Sequence, residues 1–213
     1  MAALRWWAEK IGKQNVIARD NAYYGIGTRE FVTNESKATD LDKERLQQIG
    51  DSHLKISLEL QQAFGLRHEE AIKFIPEYAD QGSSIRLKST WCNGGKAREV
   101  PVRSEAQREV LNRARLVAGK GSLAPPQLMY VGQLRLYERE TQRVGFSKLH
   151  GLRHRYAQQR YEELTGHPCP ACGRATSKEL REDERLNDQV ARYAISQELG
   201  YEREQITAVY LGR

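Results

Sequence analysis

Four side chains with clear chemical potential stand far apart in the sequence. Arg67 lies in the stretch GLRHEE, His150 and Arg153 lie in HGLRHRYAQQRY, and Tyr210 lies close to the last residue. Two arginines can bind a phosphodiester through paired hydrogen bonds and offset the charge of its transition state. A tyrosine hydroxyl can attack the phosphorus, and a histidine can transfer the protons. The set predicts phosphoryl transfer without a metal or nucleotide cofactor, because a phosphotyrosine link conserves the energy of the broken bond.

The stretch HGLRHRYAQQRY is predicted to be a helix with a cationic inner edge. His150, Arg153 and Ala157 recur at helical spacing and therefore share one stripe. Leu152 and Tyr156 mark a neighbouring apolar stripe that can face a core. A solvated basic face is the alternative interpretation of this stretch.

Composition narrows the class of protein. The chain has 213 residues, of which 29% are charged and 39% hydrophobic, so a globular fold is expected. Its net charge of +6 favours a polyanionic partner, most simply nucleic acid. No stretch approaches the roughly 18 consecutive apolar residues of a membrane span. The chain has three cysteines, an odd number that does not suit a disulfide framework. This count predicts a reducing, cytoplasmic location.

The elements that must position these residues are predicted to be mostly helices. Helical patterns cover residues 40–79, where Pro76 is expected to end the last helix, and they resume at residue 104. Between them, SIRLKSTWCNGGKAREVPV alternates on both sides of Asn93-Gly94-Gly95, which predicts a tight hairpin. The fold class expected is therefore mostly α with a small antiparallel β-sheet (α+β).

Later segments continue the helical pattern. Ser104 and Gln107 form the spacing of a capping box at the start of one helix, and residues 125–145 predict another. The run KELREDERLND at residues 178–188 is expected to be a solvated helix face. The predicted hairpin would carry Lys96 and Arg98 on or beside its turn.

These motifs together resemble the tyrosine recombinases, the phage integrase family, over about residues 40–213. The resemblance rests on GLRHEE, the hairpin ending REVPV, HGLRHRYA and LGYEREQITAVYL, in that order. It implies that Arg67 and Arg153 bind the scissile phosphate, that His150 is a general acid or base, and that Tyr210 is the nucleophile. It also implies a supporting role for His154.

Two positions depart from the family pattern. Asn93 occupies the position of the usual hairpin lysine, and we expect Lys96 on the same turn to substitute for it, with Lys88 as a weaker candidate. Tyr201 stands where the family usually has histidine or tryptophan. A phenol can also donate a hydrogen bond to a phosphate oxygen, so Tyr201 is included among the site residues. A purely structural role for it would accompany reduced activity.

The interval between Arg153 and Tyr201 is longer than the family's usual interval, which predicts an insertion near residues 165–190. It contains His167, Cys169 and Cys172. This spacing fits half of a zinc site, but a clear fourth ligand is missing. The alternative is a proline-punctuated loop with free thiols, and no metal is predicted.

The expected organisation is a remnant of a core-binding domain with its linker at residues 1–36 and a catalytic domain at 37–213. The resemblance implies a site-specific DNA recombinase or integrase of a mobile element, acting through a 3′-phosphotyrosine. Its partners would be double-stranded DNA and three further subunits in a tetramer on paired sites. A catalytically degenerate DNA-binding relative and a type IB topoisomerase-like enzyme are the alternatives.

Overall fold

The computed structural model describes residues 1–27, 30–125 and 127–213. Thr28 and Arg29 of the predicted linker, and Pro126 in the predicted helix at 125–145, lie outside the described residues. The chain divides into two compact units, Met1–Phe31 and Val32–Arg213. No helix in the described ranges combines the length and apolar character needed to cross a bilayer.

The first unit contains one helix and two short turns. Helix α1 spans Ala2–Lys10, and single 3-10 turns follow at Gln14–Val16 and Ala22–Tyr24. The guanidinium of Arg5 donates to the Ala18 carbonyl at 3.0 Å and to Asn21 Oδ1 at 2.7 Å. These bonds fold the segment after α1 back along that helix.

The second unit is built mainly from helices. Their bounds are α2 Lys43–Gln48, α3 Ser52–Phe64, α4 His68–Ile72, α5 Pro76–Ala79, α6 Glu105–Ala118, α7 Tyr130–Arg143, α8 Gly151–Thr165, α9 Glu182–Glu198 and α10 Ala208–Leu211. Asp42 and Asp51 accept backbone N–H bonds at the starts of α2 and α3. The capping box predicted at Ser104 and Gln107 is confirmed.

A two-stranded antiparallel sheet lies between α5 and α6. Strand β1 (Ser84–Leu87) pairs with β2 (Arg98–Pro101), and Ile85 lies opposite Val100. The predicted fold class, mostly helical with one small antiparallel sheet, is confirmed. Asn93 and Gly94 do form the predicted turn, in which the Gly95 N–H donates to the Cys92 carbonyl at 3.0 Å. The prediction that this turn joins the two strands directly as a tight hairpin is wrong, because residues 88–97 form a longer connection. Trp91 and Cys92 in that connection are buried, and their packing draws the chain away from the ladder.

Three helix predictions need correction. Pro76 does not end a helix: α4 ends at Ile72, and Pro76 begins α5, where its missing N–H costs nothing. Helix α7 begins at Tyr130 rather than at residue 125. In the run 178–188, Asp188 is buried rather than solvated, because Arg192 and Tyr161 donate hydrogen bonds to its carboxylate.

Helix α8 runs through the middle of the second unit, in contact with α3, α9 and α10. The main core cluster includes residues from α3, α8, α9 and α10, among them Leu60, Phe64, Tyr156, Ile195 and Tyr210. A smaller cluster joins α3 to α7. Within the predicted stripe, Arg153 and Ala157 lie inside the domain and His150 is exposed. The alternative of a solvated basic face is therefore wrong for Arg153, which is 1% exposed.

We expect Gly65→Ala to lower the free energy of unfolding by about 2–4 kcal/mol. Gly65 ends α3 with φ +61°, and a Cβ there would lie 2.6 Å from Cδ1 of Tyr156 on α8. Gly166→Ala is the matched control, since Gly166 ends α8 at φ +76° with open space around it. Denaturant unfolding should give only the backbone cost there, about 1 kcal/mol. Equal losses in the two variants would contradict the predicted clash.

Candidate active site

Arg153 lies at the centre of the site, on the first turn of α8. Its Nη1 donates to the carbonyl of Gly65 and its Nη2 to the carbonyl of Leu199. Its Nε lies 3.3 Å from the hydroxyl of Tyr210. A guanidinium held at three points by α3, α9 and α10 has a fixed orientation.

Two tyrosine hydroxyls meet beside this arginine. The hydroxyl oxygens of Tyr201 and Tyr210 are 2.9 Å apart, and the Tyr210 residue is only 2% exposed. The Tyr201 ring lies under two guanidinium groups, with its centroid 5.3 Å from Cζ of Arg67 and 5.7 Å from Cζ of Arg153. The structure brings together in one cluster four residues that were predicted from separate motifs: Arg67, Arg153, Tyr201 and Tyr210.

The two hydroxyls differ in acidity. Burial raises the pKa of Tyr210, despite the opposing charge of Arg153. Burial acts in the same direction on Tyr201, but the Tyr210 hydrogen bond and the charges of Arg153 and Arg67 outweigh it and lower the pKa of Tyr201. Because the two hydroxyls share one hydrogen bond, they lose their protons as a coupled pair.

Two histidines line the opposite side of Tyr210. The ring centroid of His154 lies 4.7 Å from that of Tyr210, and the His150 centroid lies at 5.9 Å. His150 is exposed as a residue, but its ring faces this cluster. Partial burial, together with the charges of Arg153 and Arg67, lowers the pKa of His150. Its imidazole is neutral at pH 7 and can accept a proton.

Glu70 orients the other arginines. Its carboxylate accepts a hydrogen bond from Arg67 Nη1 at 2.9 Å and two from Arg98, at 2.8 and 2.7 Å. Burial opposes its ionisation, but the hydrogen bonds and charge of Arg98 lower the pKa of Glu70 to about 2. Glu70 therefore forms an ion pair with the half-buried Arg67 and a second ion pair with the buried Arg98.

The sequence analysis did not predict that the Arg98 side chain is buried. It placed this residue beside the turn, whereas the structure buries it on β2, with its Nε donating to the Glu198 carbonyl at 2.9 Å. The alternation along β2 contained a signal, because Arg98 and Val100 share the buried face.

Lys96 is the predicted site residue that the structure does not bring into the cluster. Its ammonium pairs with Glu202, and both side chains are exposed. Lys88 instead lies over aromatic rings, 4.2 Å from the centroid of Tyr78 and 5.4 Å from that of Trp91. Asn93, in the usual lysine position, is an exposed residue of the 88–97 connection.

The structure also places the residues of the possible zinc site. Cys169 and Cys172 are adjacent, with 3.6 Å between their sulfurs, and both are free thiols. Within residues 1–27, 30–125 and 127–213, no three His, Cys, Asp or Glu side chains are grouped so that they could hold a metal ion.

We expect acid to destabilise the fold through His154. Burial and the charges of His150, Lys37 and Arg153 lower its pKa from 6.5 to about 4, although a backbone hydrogen bond at Tyr210 opposes the change. Because folding lowers this pKa, the folded chain favours the neutral imidazole. The contribution of His154 to the free energy of unfolding is therefore complete above pH 6.5 and is lost as pH falls toward 4. The free energy of unfolding should drop by about 2 kcal/mol between pH 7 and pH 5.

Denaturant unfolding at a series of pH values measures this loss. His154→Gln should flatten the pH dependence, whereas His167→Gln, a change at an exposed histidine, should leave it intact. A profile unchanged by His154→Gln would show that another group carries the acid sensitivity.

Comparison with known proteins adds a family match. A sequence profile of the family described as Integrase matches residues 25–159. That range includes Arg67, Lys96, His150 and Arg153 and ends before Tyr201. Among solved structures, the integrase from mycobacterium phage Brujita is similar at 17% identity over 99% of this chain and 74% of that one, with a TM-score of 0.46. No curated protein gives a significant match.

Proposed function

Since the chain belongs to the integrase family, we propose that it is a site-specific DNA recombinase that cuts and rejoins DNA through a phosphotyrosine at Tyr210. The observation that carries this proposal is the position of the Tyr210 hydroxyl. It lies 3.3 Å from Nε of the buried Arg153 and 2.9 Å from the Tyr201 hydroxyl. A tyrosine hydroxyl surrounded by arginine and histidine side chains is the arrangement expected at a site that binds a phosphate.

The proposed step is an in-line displacement at phosphorus. The Tyr210 oxygen forms a bond to phosphorus while the bond to the 5′ oxygen of the next nucleotide breaks. The products are a 3′-phosphotyrosine and a free 5′-hydroxyl. His150 accepts the tyrosine proton, and Lys96 gives a proton to the departing oxygen after it leaves Glu202. Attack by a 5′-hydroxyl of a second duplex reverses the chemistry and completes strand exchange.

The arginines supply the electrostatic part of the mechanism. Arg153 is fully enclosed and points one N–H at the Tyr210 hydroxyl, so it can stabilise charge on the attacked phosphate. Arg67 keeps 18% of its side chain exposed while Glu70 holds it, so it offers the accessible guanidinium edge. Tyr201 contributes a phenol hydrogen bond to a phosphate oxygen.

DNA must rearrange the end of the chain before this step. The Tyr210 residue is 2% exposed, and its carbonyl accepts a hydrogen bond from Gln158 Nε2 at 3.0 Å. Helix α10 has only four residues, so a small shift of it can present the hydroxyl to a phosphate. We propose that DNA binding drives this shift and separates Lys96 from Glu202.

The proposed partner is double-stranded DNA in the cytoplasm, and the net charge of +6 supports binding to a polyanion. Exchange between two duplexes requires one nucleophile for each of four strands. We therefore propose a tetramer on paired sites.

Covalent trapping tests this function without knowledge of the target site. The full chain is incubated with a pool of duplexes of randomised sequence, each nicked just beyond the random segment. The short 5′-hydroxyl strand released by cleavage diffuses away, and the covalent state accumulates. We expect an adduct that survives SDS and heat and disappears on protease treatment, with sequencing of its DNA defining the site.

A DNA-binding relative without catalysis is the second candidate. It is favoured by the pairing of Lys96 with Glu202 and by the presence of Tyr201 at a position usually occupied by histidine or tryptophan. Sequence-selective retention of duplexes from the same pool, without any SDS-resistant adduct, would support this candidate and contradict the recombinase.

A further inference from the structure

The segment between α8 and α9 carries a pair of thiols in contact. Cys169 and Cys172 flank Pro170 and Ala171 in a 3-10 turn, and the Cys169 thiol lies 3.6 Å from the Cys172 sulfur. Cys169 is fully buried and Cys172 is exposed. One sulfur is therefore accessible to a reagent in solution, and the second is positioned to react with the first.

This turn packs directly against the end of the chain that carries Tyr210. A Cβ on Gly212 would lie 2.8 Å from the backbone nitrogen of Ala171 and 3.2 Å from Cβ of Pro170. Helix α10 and the turn are therefore in close backbone contact, and a change in the turn is transmitted to α10.

A hydrogen-bonded side chain links the thiols to Tyr210. The Cys172 thiol donates to Gln158 Oε1 at 3.3 Å, and Gln158 Nε2 donates to the Tyr210 carbonyl at 3.0 Å. Ser36 Oγ also donates to Gln158 Oε1, at 2.9 Å. The orientation of the Gln158 amide, and thus its bond to Tyr210, depends in part on Cys172.

We propose that Cys169 and Cys172 are a reversible redox site, oxidised to a disulfide by a small-molecule disulfide of the glutathione type, and that oxidation accelerates DNA cleavage by Tyr210. The second part rests on the proposed function. A dithiol of this spacing in a reducing compartment is suited to transient oxidation rather than to a permanent crosslink.

The exchange proceeds in two balanced steps. The Cys172 thiolate attacks one sulfur of the small-molecule disulfide and releases one small thiol, which leaves a mixed disulfide on Cys172. The Cys169 thiolate then attacks the Cys172 sulfur and releases the second small thiol. The protein loses two protons and two electrons, and the small disulfide is reduced to two thiols.

The acidity of the Cys169 thiol sets the slow step. Burial, together with the neighbouring Cys172, raises the pKa of Cys169 to about 12. The buried thiol is therefore protonated at neutral pH, and closure of the disulfide should accelerate as the pH rises.

Oxidation alters the contacts under α10. Bond formation brings the sulfurs from 3.6 Å to about 2.05 Å. It also removes the Cys172 S–H, so the donor to Gln158 is lost. The Gln158 bond that helps hold Tyr210 in its buried position is weakened, so the shift of α10 costs less, and we expect the rate of covalent DNA trapping to rise about fivefold, the effect of losing one neutral hydrogen bond.

Mass spectrometry and trapping on the same sample test both parts. The full chain is treated with oxidised glutathione, and its peptides are analysed before and after dithiothreitol. We expect the peptide with Cys169 and Cys172 to lose two hydrogens, and dithiothreitol to restore both its mass and the trapping rate. Cys169→Ser should stop at the mixed disulfide, whereas Cys92→Ser should still form the Cys169–Cys172 bond.

Three results would overturn the proposal. One is a wild-type chain that stays reduced or stops at the mixed disulfide. Another is stoichiometric zinc in the purified protein that is released when either thiol is substituted. The third is an unchanged trapping rate in the fully oxidised chain. Failure of the reduced chain to trap DNA would count against the recombinase instead, since the mass measurement does not depend on cleavage.

Discussion

Tyr210→Phe is expected to reduce covalent trapping of DNA by at least about 10³-fold, to the level of a chain without a nucleophile. A phenyl ring cannot form the bond to phosphorus. Among the described residues, the hydroxyl is hydrogen-bonded to Arg153 and Tyr201, so its removal should lower the free energy of unfolding by about 1 kcal/mol. DNA binding, measured by fluorescence anisotropy, should be nearly unchanged.

Two other tyrosine substitutions make this result specific. Tyr193 lies on the outer side of α9 and is 56% exposed, so Tyr193→Phe should trap DNA at the wild-type rate. Tyr201→Phe removes the proposed hydrogen bond to the phosphate but keeps the proposed nucleophile, so it should slow trapping without abolishing it. An undiminished adduct in Tyr210→Phe would exclude Tyr210 as the attacking group.

Glu70→Gln is expected to lower the free energy of unfolding by about 3–5 kcal/mol, because it leaves buried charge uncompensated. The Glu70 side chain is fully buried and accepts hydrogen bonds from Arg67 and Arg98, and the Arg98 side chain is only 5% exposed. An amide at this position provides one acceptor oxygen and no negative charge. Trapping of DNA should also fall, since Arg67 loses the partner that orients it.

Glu99→Gln is the matched control. Glu99 pairs with Arg86 across the same sheet at 2.9 Å, but both side chains are about half exposed. Loss of this exposed ion pair should lower the free energy of unfolding by less than about 1 kcal/mol. Combining Glu70→Gln with Arg98→Met should recover part of the stability, because it removes the buried cation along with the anion. A cost for Glu70→Gln as small as that for Glu99→Gln would show that burial of the pair is unimportant.

Acid should reproduce part of the Glu70→Gln effect. The pKa of Glu70 falls from 4.5 to about 2 in the folded chain. Its contribution to stability is therefore complete above pH 4.5 and is lost as pH falls through 2, below the range in which His154 acts.

Local patterns predicted much of the fold. The capping box at Ser104 and the alternation of β1 and β2 both depend on neighbours a few residues away. Such signals persist whatever the tertiary context, because they satisfy backbone groups locally. The helices and the sheet could therefore be predicted from the sequence.

The errors arose where distant residues decide burial. The 88–97 connection is longer than a tight hairpin because Trp91 packs beside Phe74 and Tyr78 in the second unit. Asp188 is inside because Arg192 and Tyr161 converge on it from α9 and α8. Neither arrangement leaves a periodic trace in the sequence.

The residues of the candidate site were recognisable by type and order, but their geometry was not. The resemblance to the tyrosine recombinases brought forward Arg67, His150, Arg153 and Tyr210. It contained no sign that Arg98 shares Glu70 with Arg67, or that Tyr201 donates to or accepts from Tyr210. Such contacts join β2, α4 and the end of the chain, which only the folded structure brings together.

The most direct test is to identify the residue joined to DNA. The SDS-resistant adduct is digested with nuclease and trypsin, and the peptide that retains a nucleotide is sequenced by mass spectrometry. We predict that the nucleotide is on Tyr210, through its phenolic oxygen and a 3′-phosphate. A nucleotide on Tyr201, on another side chain, or through a 5′-phosphate would contradict the account.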